Sequence, residues 1–167
     1  MDTPKIYVAC LASYNNGILY GKWIDVVQSA DIHDEIHKML AESPIEATEE
    51  FAIHDYEGFA GLRLDEYDSI ETVVELAAFI GEHGELGAGL LSEYSIEEAE
   101  RLLEESYHGA YDNEVDFAFS IFEDCYHNAI PGNLLIYFDY VAFTHDLFIN
   151  DYFSVDVDGQ THIFSNY

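Results

Sequence analysis

His33-Asp34-Glu35-Ile36-His37 is the stretch whose residue types and spacing come closest to catalytic chemistry. Histidines four apart share one face of a helix. In the zinc-protease pattern HExxH they hold a metal while the intervening glutamate activates water. Here the base position carries the shorter Asp34 and no third ligand follows nearby, so a solvated helix face is the plainer reading. Asp156, Asp158 and Gly159 hint at a calcium loop but lack its ligand schedule. A tight hairpin turn accounts for them better. Paired carboxylates among many tyrosines would suit a glycosidase, where two acids flank the scissile bond. A chain with 34 acids makes such pairs by chance. No catalytic residue, metal or cofactor is therefore expected, and the chain reads as a non-enzyme.

The carboxylates as a population are the stronger signal. Residues 92–127, SEYSIEEAERLLEESYHGAYDNEVDFAFSIFEDCYH, predict two amphipathic helices joined at His108-Gly109. Ser95 and Glu98 form a capping box, each satisfying a free N–H at the helix start. Ile96, Ala99, Leu102, Leu103 and Tyr107 recur at helical spacing as a buried stripe, and Gly109 can take the left-handed conformation that ends a helix. A second start is expected at Asp112 or Asn113, with Val115, Phe119, Phe122 and Tyr126 on its apolar face. Left outside are Glu93, Glu97, Glu98, Glu100, Glu104, Glu105, Asp112, Glu114, Asp116, Glu123 and Asp124, against Arg101 alone. Soluble helices usually place Lys or Arg four residues after Glu, because the pair stabilises the helix. This stretch largely omits them.

The whole chain shares that imbalance. Its 167 residues carry 34 acids against 5 bases, a formal charge of −29. Lys5, Lys22, Lys38, Arg63 and Arg101 are the only lysines and arginines. Nucleic acid and anionic membrane surfaces would repel it, and its natural partner is strongly basic. A disordered acidic tail is excluded by 13 Tyr and 11 Phe, since such tails lack the aromatics that offset ordering entropy. The start MDTPKIYVA lacks the basic residues and long apolar run of an export signal, so a cytoplasmic protein is expected. Cys10 and Cys125 are then expected as buried, reduced thiols.

The elements that must carry the acids follow from periodicity and turn residues. Ile6–Ser13 reads as a strand, Tyr14-Asn15-Asn16-Gly17 as a hairpin turn and Ile18–Val26 as the return. Asp31–Glu42 is a short helix with Ile32, Ile36 and Leu40 inward and Ser43-Pro44 as its stop. Glu50–Tyr56 is a third strand, with Phe51, Ile53 and Asp55 on one face and Ala52, His54 and Tyr56 on the other. Asp68-Ser69-Ile70-Glu71 opens a helix reaching Glu82 or His83, after which Gly84, Gly87 and Gly89 loosen the chain. LLIYFDYVAF, residues 134–143, is apolar on nearly every side and fits a buried helix or a strand equally well. Tyr152–Val157, a turn at Asp158-Gly159 and Thr161–Phe164 close the chain as a hairpin. The expected fold is α+β, an elongated chain of three small units: 1–64, a three-stranded sheet with a helix; 65–106, helical; and 107–167, α+β, ending in the hairpin.

With both halves in view, the sequence resembles the ArdA family of antirestriction proteins of mobile genetic elements. IYVACLASYNNGILYGKWID and EEFAIHDYEGF carry the likeness in the first half, EVDFAFSIFEDCY and YFDYVAFTHDL in the second. His145 stands where a glycine–arginine pair is expected of the family. The resemblance implies a curved homodimer whose surface imitates bent B-form DNA. Such a protein occupies the DNA groove of type I restriction–modification enzymes, formed by the methyltransferase core with its specificity subunit, and blocks restriction and sometimes modification. A carboxylate gives an Arg or Lys the charge and acceptor oxygens of a phosphate, so the acid field agrees with that implication. The dimer contact is expected in the aromatic-rich C-terminal unit, at Tyr107, Asp112, Val115, Asp116 and Phe119. A general acidic binding module for another basic protein is the runner-up, and a glycosidase or metal-dependent hydrolase stands third. High-salt adaptation is the plainest alternative account of the acidity.

Overall fold

The computed structural model describes residues 2–29, 31–45 and 49–166. The chain is α+β and divides into two compact units, Met1–Ala88 and Gly89–Tyr167. The helices within 65–106 fall on both sides of that division.

The first unit is built on β1 (Lys5–Cys10), with β2 (Gly21–Asp25) and β3 (Phe51–Glu57) antiparallel on either side. The first two strands pair as expected and Gly17 N–H closes the turn onto Tyr14 O at 2.9 Å, but the first strand stops at Cys10 and a helical turn, α1 (Leu11–Asn15), takes the place of its last residues. The Ser13 N–H donates to Cys10 Sγ at 3.5 Å, and the Ser13 and Ser43 hydroxyls hydrogen-bond at 2.9 Å. Those local partners draw 11–13 out of the ladder, as short hydroxyl side chains do. The face assignment of the third strand fails at one residue. Register slips between Tyr7 and Val8, so His54 is an extra residue, and Ala52 and Ile53 are both buried. Such a bulge breaks the period of two that the alternation argument needs.

Helix α2 (Ile32–Ala41) matches its expectation. Asp31 caps it by accepting from the Asp34 N–H, and Ile32, Ile36, Met39 and Leu40 are buried. Helix α3 (Ile70–Leu91) is two helical stretches that meet at a kink at Gly84 (φ 62°, ψ −145°), so the expected end at Glu82 or His83 falls at the break and a second stretch follows it. Gly87 stays helical because packing needs its smallness: a Cβ there would lie 2.8 Å from His83 Cβ, beside the Phe79 ring. The unit's core is Ile6, Val8, Ile24, Ile36, Val73 and Ile80.

The second unit differs most from its sequence reading. Helix α4 (Ile96–Arg101) does open on the Ser95–Glu98 capping box. It then widens into a π-helical turn, Leu102–Ser106, and passes straight into a strand, β4 (Tyr107–Tyr111). His108-Gly109 therefore lies inside a strand and joins no helices. β4 pairs with the central strand β6 (Gln160–Ser165), whose other neighbour is β5 (Tyr152–Val157). Gly109 (φ 106°) accommodates the register shift between Tyr107 and Gly109. A partner more than 50 residues away settles this segment, and local periodicity does not report it. The closing hairpin is as expected, with Asp158 (φ 49°) and Gly159 (φ 75°) in its turn.

Helix α5 (Glu114–Cys125) starts at Asn113, whose side chain accepts from the Asp116 N–H. Its buried face is Phe117, Ala118 and Phe122. Phe119, assigned to that face, is 48% exposed, as is Tyr126, and Val115 is only half-buried. The apolar residues wrap most of the helix, so spacing placed Phe122 correctly in the core but put Phe119 and Tyr126 there wrongly. Likewise, 134–143 is neither a strand nor buried. A 3-10 turn (Leu135–Tyr137) leads to α6 (Tyr140–Asn150), and Ile136 and Tyr137 are 80% and 77% exposed. The core here is aromatic: Phe122 lies 4.2 Å from Phe138 and Phe117 4.8 Å from Tyr152, ring centre to ring centre. Cys10 is buried as expected, whereas Cys125 is exposed. Among the described residues no helix is long and apolar enough to cross a membrane.

The burial pattern orders the aromatic substitutions. Phe117→Ala should cost about 3–5 kcal/mol, as for a fully enclosed ring, and Phe119→Ala clearly less. Urea unfolding of the two variants should separate them, and equal midpoints would contradict the placement of α5.

Candidate functional site

The eleven acids singled out in 93–124 all lie in the second unit, and every one except Glu114 is exposed. The structure gathers four of them. Glu97, Glu98, Glu100 and Glu104, with Ser95 and Arg101, line one open concavity of about 500 Å³ on α4 and the π turn. Glu93 lies in the loop before α4, Glu105 on the π turn, and Asp112 in the loop before α5. Glu114 and Asp116 occupy the first turn of α5, and Glu123 and Asp124 approach its end. The first pair is favoured by the helix dipole, the second opposed by it. Helix stability alone does not explain that second pair.

Local hydrogen bonds hold several of these carboxylates. Glu98 Oε2 accepts from Ser95 N–H and Oγ–H at 3.1 and 2.8 Å. The Ser95 hydroxyl, then its backbone N–H and finally Arg101 keep the Glu98 carboxyl below its ordinary range. Asn113 Nδ2 donates to Asp116 Oδ2 at 2.8 Å, and Ser154 Oγ donates to Glu114 Oε1 at 2.7 Å. His127 Nδ1 is 3.0 Å from Glu123 Oε1. The residues expected at a dimer contact are mixed in setting. Tyr107 is on β4 and shares a 2.8 Å hydrogen bond with His162 Nδ1, while burial pushes its phenol pKa up and that of the imidazole down. Asp112 and Asp116 are exposed, Val115 is half-buried, and the Phe119 ring packs on Tyr140 at 5.2 Å.

The first unit carries a second acid field, outside the run at 93–124. Asp55 and Glu57 on β3, Asp65 and Glu66 after it, and Glu71, Glu75, Glu82 and Glu85 on α3 are all exposed. The total of 34 acids was the available signal for them. All three lysines belong to this unit and each meets a carboxylate: Lys22–Glu35 and Lys38–Asp34 at 2.6 Å, Lys5–Glu57 at 3.7 Å. Across the described residues, only Asp25, Glu35, Asp68 and Glu114 among the acids are less than exposed.

The catalytic alternatives fare differently. His33 and His37 are exposed on α2, and His33 Nε2 lies 2.8 Å from Glu71 Oε1. Asp158 and Gly159 form the hairpin turn, while Asp156 accepts from the Thr161 hydroxyl. Glu35, Glu71 and Glu98 are shifted down in pKa, respectively by Lys22, by a backbone N–H and by Ser95. A glycosidic general acid needs the opposite shift.

A family model described as Antirestriction protein (ArdA) matches residues 6–161 of the chain. No curated protein matches it significantly.

The cap on α4 gives a test of how the acidic concavity is held. Ser95→Ala should cost about 1 kcal/mol in urea unfolding, as for other lost N-caps. Glu98 has a depressed folded-state pKa, so its contribution is present above the unfolded value and fades as pH falls through the folded one. The gap between the wild type and Ser95→Ala should therefore narrow on acidification, and a gap that widened would contradict the cap.

Proposed function

The chain belongs to the ArdA family of antirestriction proteins, and from that premise we propose that it inhibits type I restriction–modification enzymes as a DNA mimic. In this reading it acts without turnover, occupying the groove that the methyltransferase core and its specificity subunit offer to the duplex. The observation that carries the reading is the near-complete exposure of the described carboxylates in both units, with so few cations among them. B-DNA presents about one charge per 1.7 Å of axis. Successive exposed acids one turn apart on α3, such as Glu71 and Glu75, lie roughly 6 Å apart along the helix. Several such elements together approach the duplex density. Arg and Lys side chains placed to hold phosphates would find equivalent oxygens at Glu97, Glu100, Glu104, Glu105, Asp112, Asp116 and Asp124. High-salt adaptation would also expose acids, but the family match favours a bound target.

The proposal includes a homodimer that forms through the second unit. Phe119, Tyr126, Leu134, Ile136, Tyr137 and Val141 are apolar or aromatic and exposed on α5, α6 and the segment between them. An isolated soluble unit gains nothing by wetting them, and concentrations of such residues mark contact surfaces. Two-fold pairing would also lengthen the run of charge beyond one copy, as in two-fold DNA-binding assemblies. Sedimentation at micromolar concentration should report a dimer, and Ile136→Asp should give a folded monomer. A wild-type monomer across salt conditions would remove this part of the proposal.

Competition against duplex DNA for a type I methyltransferase core tests the main claim. Many screened charge contacts act at once, so log Kd should rise steeply with log salt, as it does for duplex DNA. A flat plot would mean that apolar contacts dominate and that the mimicry is wrong.

Inhibition should also be shared among many acids. One exposed charge pair is worth about 0–1 kcal/mol. Replacing Glu97, Glu100, Glu104 or Glu105 singly by Gln should thus change the inhibition constant by no more than roughly fivefold. Cumulative replacement should erode it in steps. Complete loss in one folded single variant would point to a discrete site instead.

A further inference from the structure

We infer that an apolar groove in the first unit, floored by Val26, Ile32 and Ile70 and walled by Val27 and Val74, docks a basic–apolar peptide segment of a protein partner. Its occupant would be one aliphatic or aromatic anchor flanked by Lys or Arg. The groove is open and holds about 530 Å³, room for one or two large side chains. Its wall is built in advance. The Asp25 carboxylate accepts from the Val27 and Gln28 N–H groups at 3.0 and 2.8 Å, and Ser29 Oγ donates to Glu35 at 2.6 Å. Those bonds hold the turn that leaves Val27 61% exposed, while Val74 on α3 is 37% exposed. An aliphatic side chain held open to water by a satisfied turn is preorganised for contact, because little ordering remains to be done on binding.

Charge decides what enters. The rim carries Glu71 and Glu75, with His33 bonded to Glu71. The three lysines of this unit, Lys5, Lys22 and Lys38, are held by Glu57, Glu35 and Asp34. A nucleic acid or acidic peptide would be repelled at that rim. A second copy would bring its own −29 charge to the same place. A basic segment gains from the rim and from the long-range field, and its anchor gains from the floor. Neither term requires the partner to be a restriction enzyme. Duplex DNA presents its phosphates without such an anchor, so this contact would be one that DNA cannot reproduce.

The test uses the full-length chain and two amidated hexapeptides of equal charge, KKLLKK and KKGGKK, titrated by methyl NMR at near-physiological salt. The leucine peptide should shift the Val27, Ile32 and Val74 methyls saturably and bind at least about tenfold tighter, the worth of one buried aliphatic anchor. Val27→Asp and Val74→Asp change exposed side chains, and each, once its melting shows it folded, should abolish that preference. Ile136→Asp should keep it. Equal binding of the two peptides, shifts spread over the acids without clustering at the groove, or an undiminished preference in Val27→Asp would each overturn the proposal. So would conversion of a dimer to a monomer by either valine variant, since the groove would then be a self-contact. Failure to inhibit a type I enzyme leaves these readouts untouched, which separates this inference from the mimicry.

Discussion

Repulsion among unneutralised carboxylates is the constraint to which this structure answers. A chain at −29 is most repelled when compact, so folding must offset a term that most domains of this size never meet. The offset is visible in the interior. Phe117, Phe122 and Phe164 are the largest fully buried side chains, and Ile and Val fill the first unit. Rings of that size remove much apolar surface from water per residue ordered. The exterior reduces repulsion only locally: the three lysines each meet a carboxylate, and a cap holds Glu98. Glu123 and Asp124 near the C-terminal end of α5 run against the helix dipole. Acids are kept where stability would exclude them, and that argues for a use outside the fold.

Legibility of the sequence tracks how local the deciding interaction is. The Ser95 cap, the α2 stripe and the Asp158-Gly159 turn depend on residues close together in the chain, and all are legible in the sequence. β4 is not. Residues 107–111 have no strand signature of their own and become a strand because β6 lies ready beside them. The bulge at His54 is similar, since register is a property of a pair of strands. Phe119 fails for another reason: α5 has apolar residues nearly all round, so periodicity offers several stripes and only the packing of Phe117 against Tyr152 selects one.

The acidic surface was legible as a quantity more than as a place. Composition shows an excess of carboxylate, densest in residues 93–124, without showing where the rest lies. The structure leaves nearly every described acid exposed in both units, and it gathers Glu97, Glu98, Glu100 and Glu104 into one concavity. The π turn at 102–106 contributes to that gathering. Its wider winding changes the angle at which Glu104 and Glu105 leave the axis relative to a continued α-helix. Sequence spacing that assumes 3.6 residues per turn cannot anticipate this.

Charge and apolar exposure then divide the work of recognition by physical range. A carboxylate field acts over about a Debye length, roughly 8 Å at physiological salt, and attracts any basic surface without choosing among them. Choice requires contacts that vanish when shapes disagree, which apolar anchors supply. The described surface has both: apolar or aromatic side chains stand exposed at Val27, Val74, Leu19, Trp23 and Tyr67 in the first unit and on the α5–α6 surface of the second, with acids such as Glu71 and Glu75 beside the Val27–Val74 groove. A protein that copied only the charge of a duplex could match DNA but would have no reason to exceed it. Under the proposed mimicry, exposed valines and aromatics are the part of this surface that a duplex backbone lacks, and an advantage over DNA would arise there.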